Sequence, residues 1–158
     1  MLKKSVVAMV VGMTMTGLTS GVAIAGIIDG AGTYTGAGAT FSRDGVEITP
    51  YQIEMVRTAV GDKTLESRGK ITLPNGQVHE FFQRLTETER GFYIESDHGN
   101  GGGYCFGEGL CQSYIGDQAH GFAIAIALDG STSFRAMITE LENGRAVRFI
   151  REKLTKKD

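Results

Sequence analysis

Thr64-Leu65-Glu66-Ser67-Arg68-Gly69-Lys70-Ile71-Thr72-Leu73, followed by Pro74-Asn75-Gly76, is the stretch that decides the fold class. Thr64, Glu66, Arg68, Lys70 and Thr72 alternate with Leu65, Ser67, Gly69, Ile71 and Leu73, so an extended chain here has one wet face and one dry face. Gly61-Asp62 precedes the run, and Asn75-Gly76 is the pair that a type I′ hairpin favours. Residues 77–87 therefore read as the antiparallel return strand, with Val78, Phe81, Phe82 and Leu85 as its apolar members.

The same punctuation continues in both directions. Upstream, 32–42 is a strand closed by Arg43-Asp44-Gly45, and 51–60 is the next; its Ile53, Val56, Val60 spacing also makes 50–59 the one helix candidate. Downstream, 92–96 runs into a glycine loop at 99–103, and 104–115 contains a reversal. Residues 122–128 place Phe122, Ile124, Ile126 and Leu128 on one face and Ala123, Ala125 and Ala127 on the other, the pattern of a strand buried between two layers. Strands at 133–141 and 146–154 follow, separated by Glu142-Asn143-Gly144. This is an all-β chain, an antiparallel meander of about 8–10 strands; closing it into an up-and-down barrel removes both edges.

The layout resembles the calycin group, the lipocalin-like and fatty-acid-binding-like barrels. The resemblance rests on Gly32-Thr33-Tyr34-Thr35-Gly36-Ala37-Gly38, on the succession of hairpins and on the closing strand Arg148-Phe149-Ile150-Arg151. It covers most of residues 30–154. The chain has no Trp, so Tyr34 stands where the lipocalin signature carries one. The resemblance implies a barrel that encloses a small apolar or amphipathic ligand without catalysis.

Composition narrows the setting. The chain has 158 residues with 23 Gly and a formal charge of −2; basic runs occur only at its two ends, which offers nucleic acid no surface. Lys3-Lys4, an apolar stretch over 6–18 and Ala23-Ile24-Ala25 have the order of a secretory signal peptide cleaved after Ala25. Residues 26–158 are then a single barrel domain, periplasmic or secreted, with no membrane span in the mature form. Without Lys3 and Lys4 the formal charge of −2 becomes −4.

In an oxidising compartment Cys105 and Cys111 pair, there being no third thiol. One straight strand would hold their Cα atoms about 20 Å apart, whereas a disulfide tolerates at most ~7 Å. The chain must fold back between them, at Gly107-Glu108-Gly109, and the bridge reads as a clip on a loop tip.

Chemistry-bearing residues are sparse. His79 reads as a half-exposed strand residue, His98 lies beside the glycine loop with Glu108 as a conceivable neighbour, and His120 reads as a turn residue. Their spacing with Asp and Glu matches no metal motif, and no G-x-S-x-G occurs, so no metal, cofactor or catalytic residue is assigned. The expected ligand-binding wall is Tyr34, Phe81, Phe122, Ile124 and Phe134. One alternative is a protein-binding module, such as a protease inhibitor or surface-assembly factor, acting through the loop at 99–110. Another is a cyclase- or isomerase-type barrel, which requires Glu54, Glu80 or Glu95 to be buried beside a cavity.

Overall fold

A computed structural model describes residues 27–106, 109–129 and 132–157. The signal-peptide reading and its cleavage point lie outside the described residues. A 3-10 turn, Ile27–Gly30, leads into β1 (Gly32–Ser42), β2 (Glu47–Ala59), β3 (Thr64–Thr72), β4 (Val78–Thr88) and β5 (Gly91–Ser96). β6 (Gly99–Phe106), β7 (Leu110–Gly116), β8 (His120–Asp129), β9 (Ser133–Glu142) and β10 (Arg145–Lys156) complete the chain. Every strand pairs antiparallel with its sequence neighbours, and β10 pairs with β1 from Tyr34↔Lys156 to Ser42↔Arg148, which closes a ten-stranded up-and-down barrel. Closure leaves no edge for a second chain to extend.

The turns follow their local chemistry. At Asn143-Gly144 both φ angles are positive, 49° and 73°, as a type I′ connection requires. Asn75-Gly76 departs from that expectation. Pro74 fixes an ordinary negative φ at the turn's second position, only Gly76 is left-handed at 83°, and its N–H donates to Leu73 O at 2.9 Å. This is a type I turn with a glycine bulge.

Four readings are corrected. The helix candidate at 50–59 is part of β2, because Tyr51, Ile53 and Met55 satisfy a period of two and are buried. The glycine loop at 99–103 is not a loop or lid but the first part of β6, paired on both sides. The presented loop at 99–110 therefore shrinks to the short turn after Phe106. Residues 122–128 do not lie between two layers: among the described residues nothing covers the Ala123, Ala125, Ala127 face, which forms part of the outer wall.

The interior carries two buried clusters on opposite sides. Tyr34, Tyr51, Ile53, Met55, Phe134 and Leu154 form the larger one, from β1, β2, β9 and β10. Phe92, Ile94 and Ile115 form the smaller, and Cys105 and Cys111 pack against it. The two cysteines form a disulfide, with a Cα–Cα distance of 3.9 Å, as register partners across the β6–β7 hairpin. It staples the wall and faces inward, so it does more than clip a loop tip. Among the described residues no helix is long and apolar enough to cross a membrane.

Candidate ligand-binding lumen

Strand parity aims Tyr34, Phe81, Phe122, Ile124 and Phe134 into the barrel. They occupy three levels. Tyr34 and Phe134 sit at the end covered by the 3-10 turn, their ring centroids 5.5 Å apart, and the Tyr34 hydroxyl donates to Gly30 O at 3.0 Å. Phe81 packs against the larger cluster beside Gly69, whose missing side chain leaves room for the ring. Ile124 packs on the smaller cluster, and Phe122 reaches the opposite, open end.

The covered end contains a cation that residue-type selection missed. Arg57 continues the inward phase of Tyr51, Ile53 and Met55, and its guanidinium carbon stands 5.0 Å from the Phe134 centroid and 5.6 Å from that of Tyr34. No carboxylate among the described residues pairs with it, and its Nε is buried without a partner. Burial pushes its pKa down, opposed by the Tyr34 hydroxyl. Its register partner Ser67 is fully buried, with Oγ unpartnered as well. A desolvated charge without a counter-ion is costly, so these two groups mark the covered end of the chamber as polar.

Midway along the wall the Tyr51 hydroxyl donates to Glu152 Oε1 at 2.8 Å. Desolvation holds the Glu152 carboxyl above its ordinary range, against the lowering effect of that hydrogen bond. Burial first, and then the negative Glu152, push the Tyr51 hydroxyl far up. Glu152 shares its inward phase with Ile150 and Leu154, the signal that would have found it in the sequence. Glu54, Glu80 and Glu95 all point outward and are at least partly solvated, so none meets the requirement of a catalytic carboxylate in the lumen.

The open end is rimmed by aromatics and charge. The rings of His98 and His120 lie 5.4 Å and 5.1 Å from Phe122. Glu140 accepts from Arg148 Nε at 3.3 Å and meets His120 Nε2 at 3.1 Å. His120 is thus a strand residue rather than a turn residue, although Asp117 in the adjoining turn accepts its backbone N–H at 2.9 Å. His98 stands at the end of the barrel opposite Phe106 and Leu110, and its conceivable neighbour Glu108 lies outside the described residues. His79 is exposed in β4. Among the described residues no three His, Cys, Asp or Glu side chains are grouped to hold a metal.

Inward parity does not bring full burial. Ile71, Phe81, Phe122, Ile124, Ile126, Ile138 and Ile150 face the interior yet are only half-buried. Large apolar side chains of a solid core lose nearly all contact with water. These inward side chains therefore keep part of their contact with solvent.

No protein-family model matches the chain, and no curated protein matches it. Solved structures share its fold. A protein of unknown function from the DUF3598 family of Nostoc punctiforme superposes with a TM-score of 0.64 at 14% identity, over 82% of this chain and 48% of that one. The chain thus spans about half the length of the Nostoc protein. An S-type phycobiliprotein lyase from Guillardia theta superposes at 0.64 with 8% identity, over 82% of this chain and 89% of that one. Rv2717c from M. tuberculosis superposes at 0.64 with 13% identity, over 84% of this chain and 95% of that one. These neighbours share the fold, and the fold alone: a closed antiparallel barrel.

Proposed function

We propose that this is an exported, non-catalytic barrel that holds a small amphipathic ligand, its apolar body between the two clusters and its polar end toward Arg57 and Ser67. The observation that carries the reading is the half-exposed state of inward-facing Phe81, Phe122, Ile124, Ile126 and Ile138. Apolar surface left wet inside a closed sheet is surface that a ligand dries, with a favourable return of about 25 cal/mol for each Å² covered. Arg57 without a carboxylate gives the ligand its expected sign: an anionic end adjacent to a cation in low dielectric.

The test has two arms. Native mass spectrometry of protein purified from its host looks for a retained small molecule. Titration with dansyl-undecanoic acid looks for saturable fluorescence that Arg57→Met weakens and Ile138→Trp, which fills the lumen, abolishes while the far-ultraviolet dichroism stays β-rich. Equal fluorescence from wild type and Ile138→Trp overturns the reading.

A second reading is favoured by Tyr51 and Glu152, a protonatable pair on the inner wall, as a cyclase- or isomerase-type barrel would need. It requires turnover of the retained molecule that Glu152→Gln stops. A molecule recovered unchanged after prolonged incubation excludes it.

A further inference from the structure

We propose that the outer face of β6–β10 is a docking surface for a bilayer carrying anionic phospholipid. Three outward rows cross these strands in direct register. The first runs Phe106, Leu110, Ala127, Arg135, Lys153; the second Tyr104, Gln112, Ala125, Met137, Arg151; the third has Tyr114 and Ala123. Each of the first two rows begins apolar and ends in cations. Tyr104, Phe106, Leu110 and Met137 are 46%, 50%, 41% and 53% exposed and stand in adjacent register positions, large apolar side chains grouped on one face.

Charge selects the occupant. None of the described outward side chains of β6–β10 on this face is acidic, and Arg135, Arg151 and Lys153 form no ion pair among the described residues. Arg151 instead stacks on Phe41, 5.0 Å from its ring centroid. On the opposite face Glu54, Glu66 and Glu95 are matched by Lys70 and Arg84. These cations, without an ion pair among the described residues, border a groove of about 740 Å³ floored largely by alanines, with Glu152 from the inner wall also in its lining. Two tyrosines at the boundary have the amphipathic shape favoured at the headgroup level. In the first two rows Gln112 is the one uncharged polar side chain apart from the Tyr104 hydroxyl, whereas protein interfaces carry about one hydrogen bond per 100–200 Å². A lipid surface needs only apolar area and opposite charge.

The test is flotation of the full purified protein with vesicles of phosphatidylcholine alone and of an equimolar phosphatidylcholine–phosphatidylglycerol mixture. Binding is expected to the mixture only and to weaken as salt rises. Arg135→Glu with Lys153→Glu is expected to lower it by about thirtyfold or more, since two lost surface cations alone predict that much and the reversed charges add repulsion. Tyr104→Ser with Phe106→Ser should lower it at constant charge, and Lys70→Glu on the far face should leave it unchanged. Free glycerophosphate should not compete; full competition would mean a phosphate site and overturn bilayer docking. Equal flotation with both vesicles, none with either, or a dimer in sedimentation that Tyr104→Ser dissociates would also overturn it. The lumen-filled Ile138→Trp protein should still float, which separates this outcome from failure of the ligand reading.

Discussion

The arc β2–β4 and the arc β6–β8 differ most at β6. In β2–β4 the inward positions hold Tyr51, Ile53, Met55, Leu65 and Phe81, while the outward positions form a charge ladder in which Lys70 meets Glu54 at 3.1 Å and Arg84 meets Glu66 at 2.7 Å. In β6 the inward positions are Gly101, Gly103 and Cys105, and the outward ones are Tyr104 and Phe106. The first arc is stabilised by what it buries. Within the second arc, β6 closes the wall with backbone and a disulfide and keeps Tyr104 and Phe106 in water, where they contribute little to the fold, while β7 and β8 bury Ile115 and aim Phe122, Ile124 and Ile126 inward.

That contrast can be broken first at a glycine. A Cβ on Gly101 would stand 2.7 Å from the Tyr114 carbonyl carbon and 2.8 Å from Ile115 Cα, contacts that a backbone cannot relax cheaply. Gly101→Val is expected to cost about 3 kcal/mol or more in urea unfolding. If it is neutral, β6 does not pack as closely as its pairing shows.

Next comes the staple. Cys105→Ser with Cys111→Ser opens a short loop and should cost about 2 kcal/mol by the same measurement. The variant should remain folded, because the paired strands and not the bridge close the barrel.

In the other arc, Tyr51→Phe strips Glu152 of its buried partner and should cost about 1–2 kcal/mol. Its pH dependence has a fixed sign. Burial raises the folded carboxyl above the ordinary 4.5, so the stabilisation is complete below that pH and declines as pH rises through the raised value. Glu152→Gln, which keeps a neutral side chain against Tyr51, should flatten that decline in a series of melting temperatures. An unchanged slope would place the titration elsewhere.

The smallest effect is the most discriminating. Tyr104→Ser should change stability by no more than about 0.5 kcal/mol, the usual range for an exposed site. A large loss would show that the outer aromatics of β6–β8 hold the fold together, and would remove the contrast between the arcs.

Much of this was legible in the chain. Residues 64–73 alternate so cleanly that fold class and hairpin succession follow, and the spacing of Cys105 and Cys111 demands the β6–β7 reversal. The inward phase of Tyr51, Ile53 and Met55 already pointed to Arg57, but a cation in that phase reads as an exception until its surroundings are known. The glycines at 99–103 misled for a physical reason: glycine signals a loop by its own preference, whereas here close approach of β5 and β7 demands it.

Residue order alone, through its period of two and its turn residues, determined that this protein is an antiparallel meander with a staple near its middle, because those are local properties. Tertiary closure decided which phase of each strand faces inward at a given level. Only the closed ring sets Arg57 against Tyr34 and Phe134 with no carboxylate partner among the described residues, brings Tyr51 to Glu152 from 101 positions away and lines up cations beside exposed aromatics. Those juxtapositions depend on register across strands distant in sequence, and no local pattern encodes register.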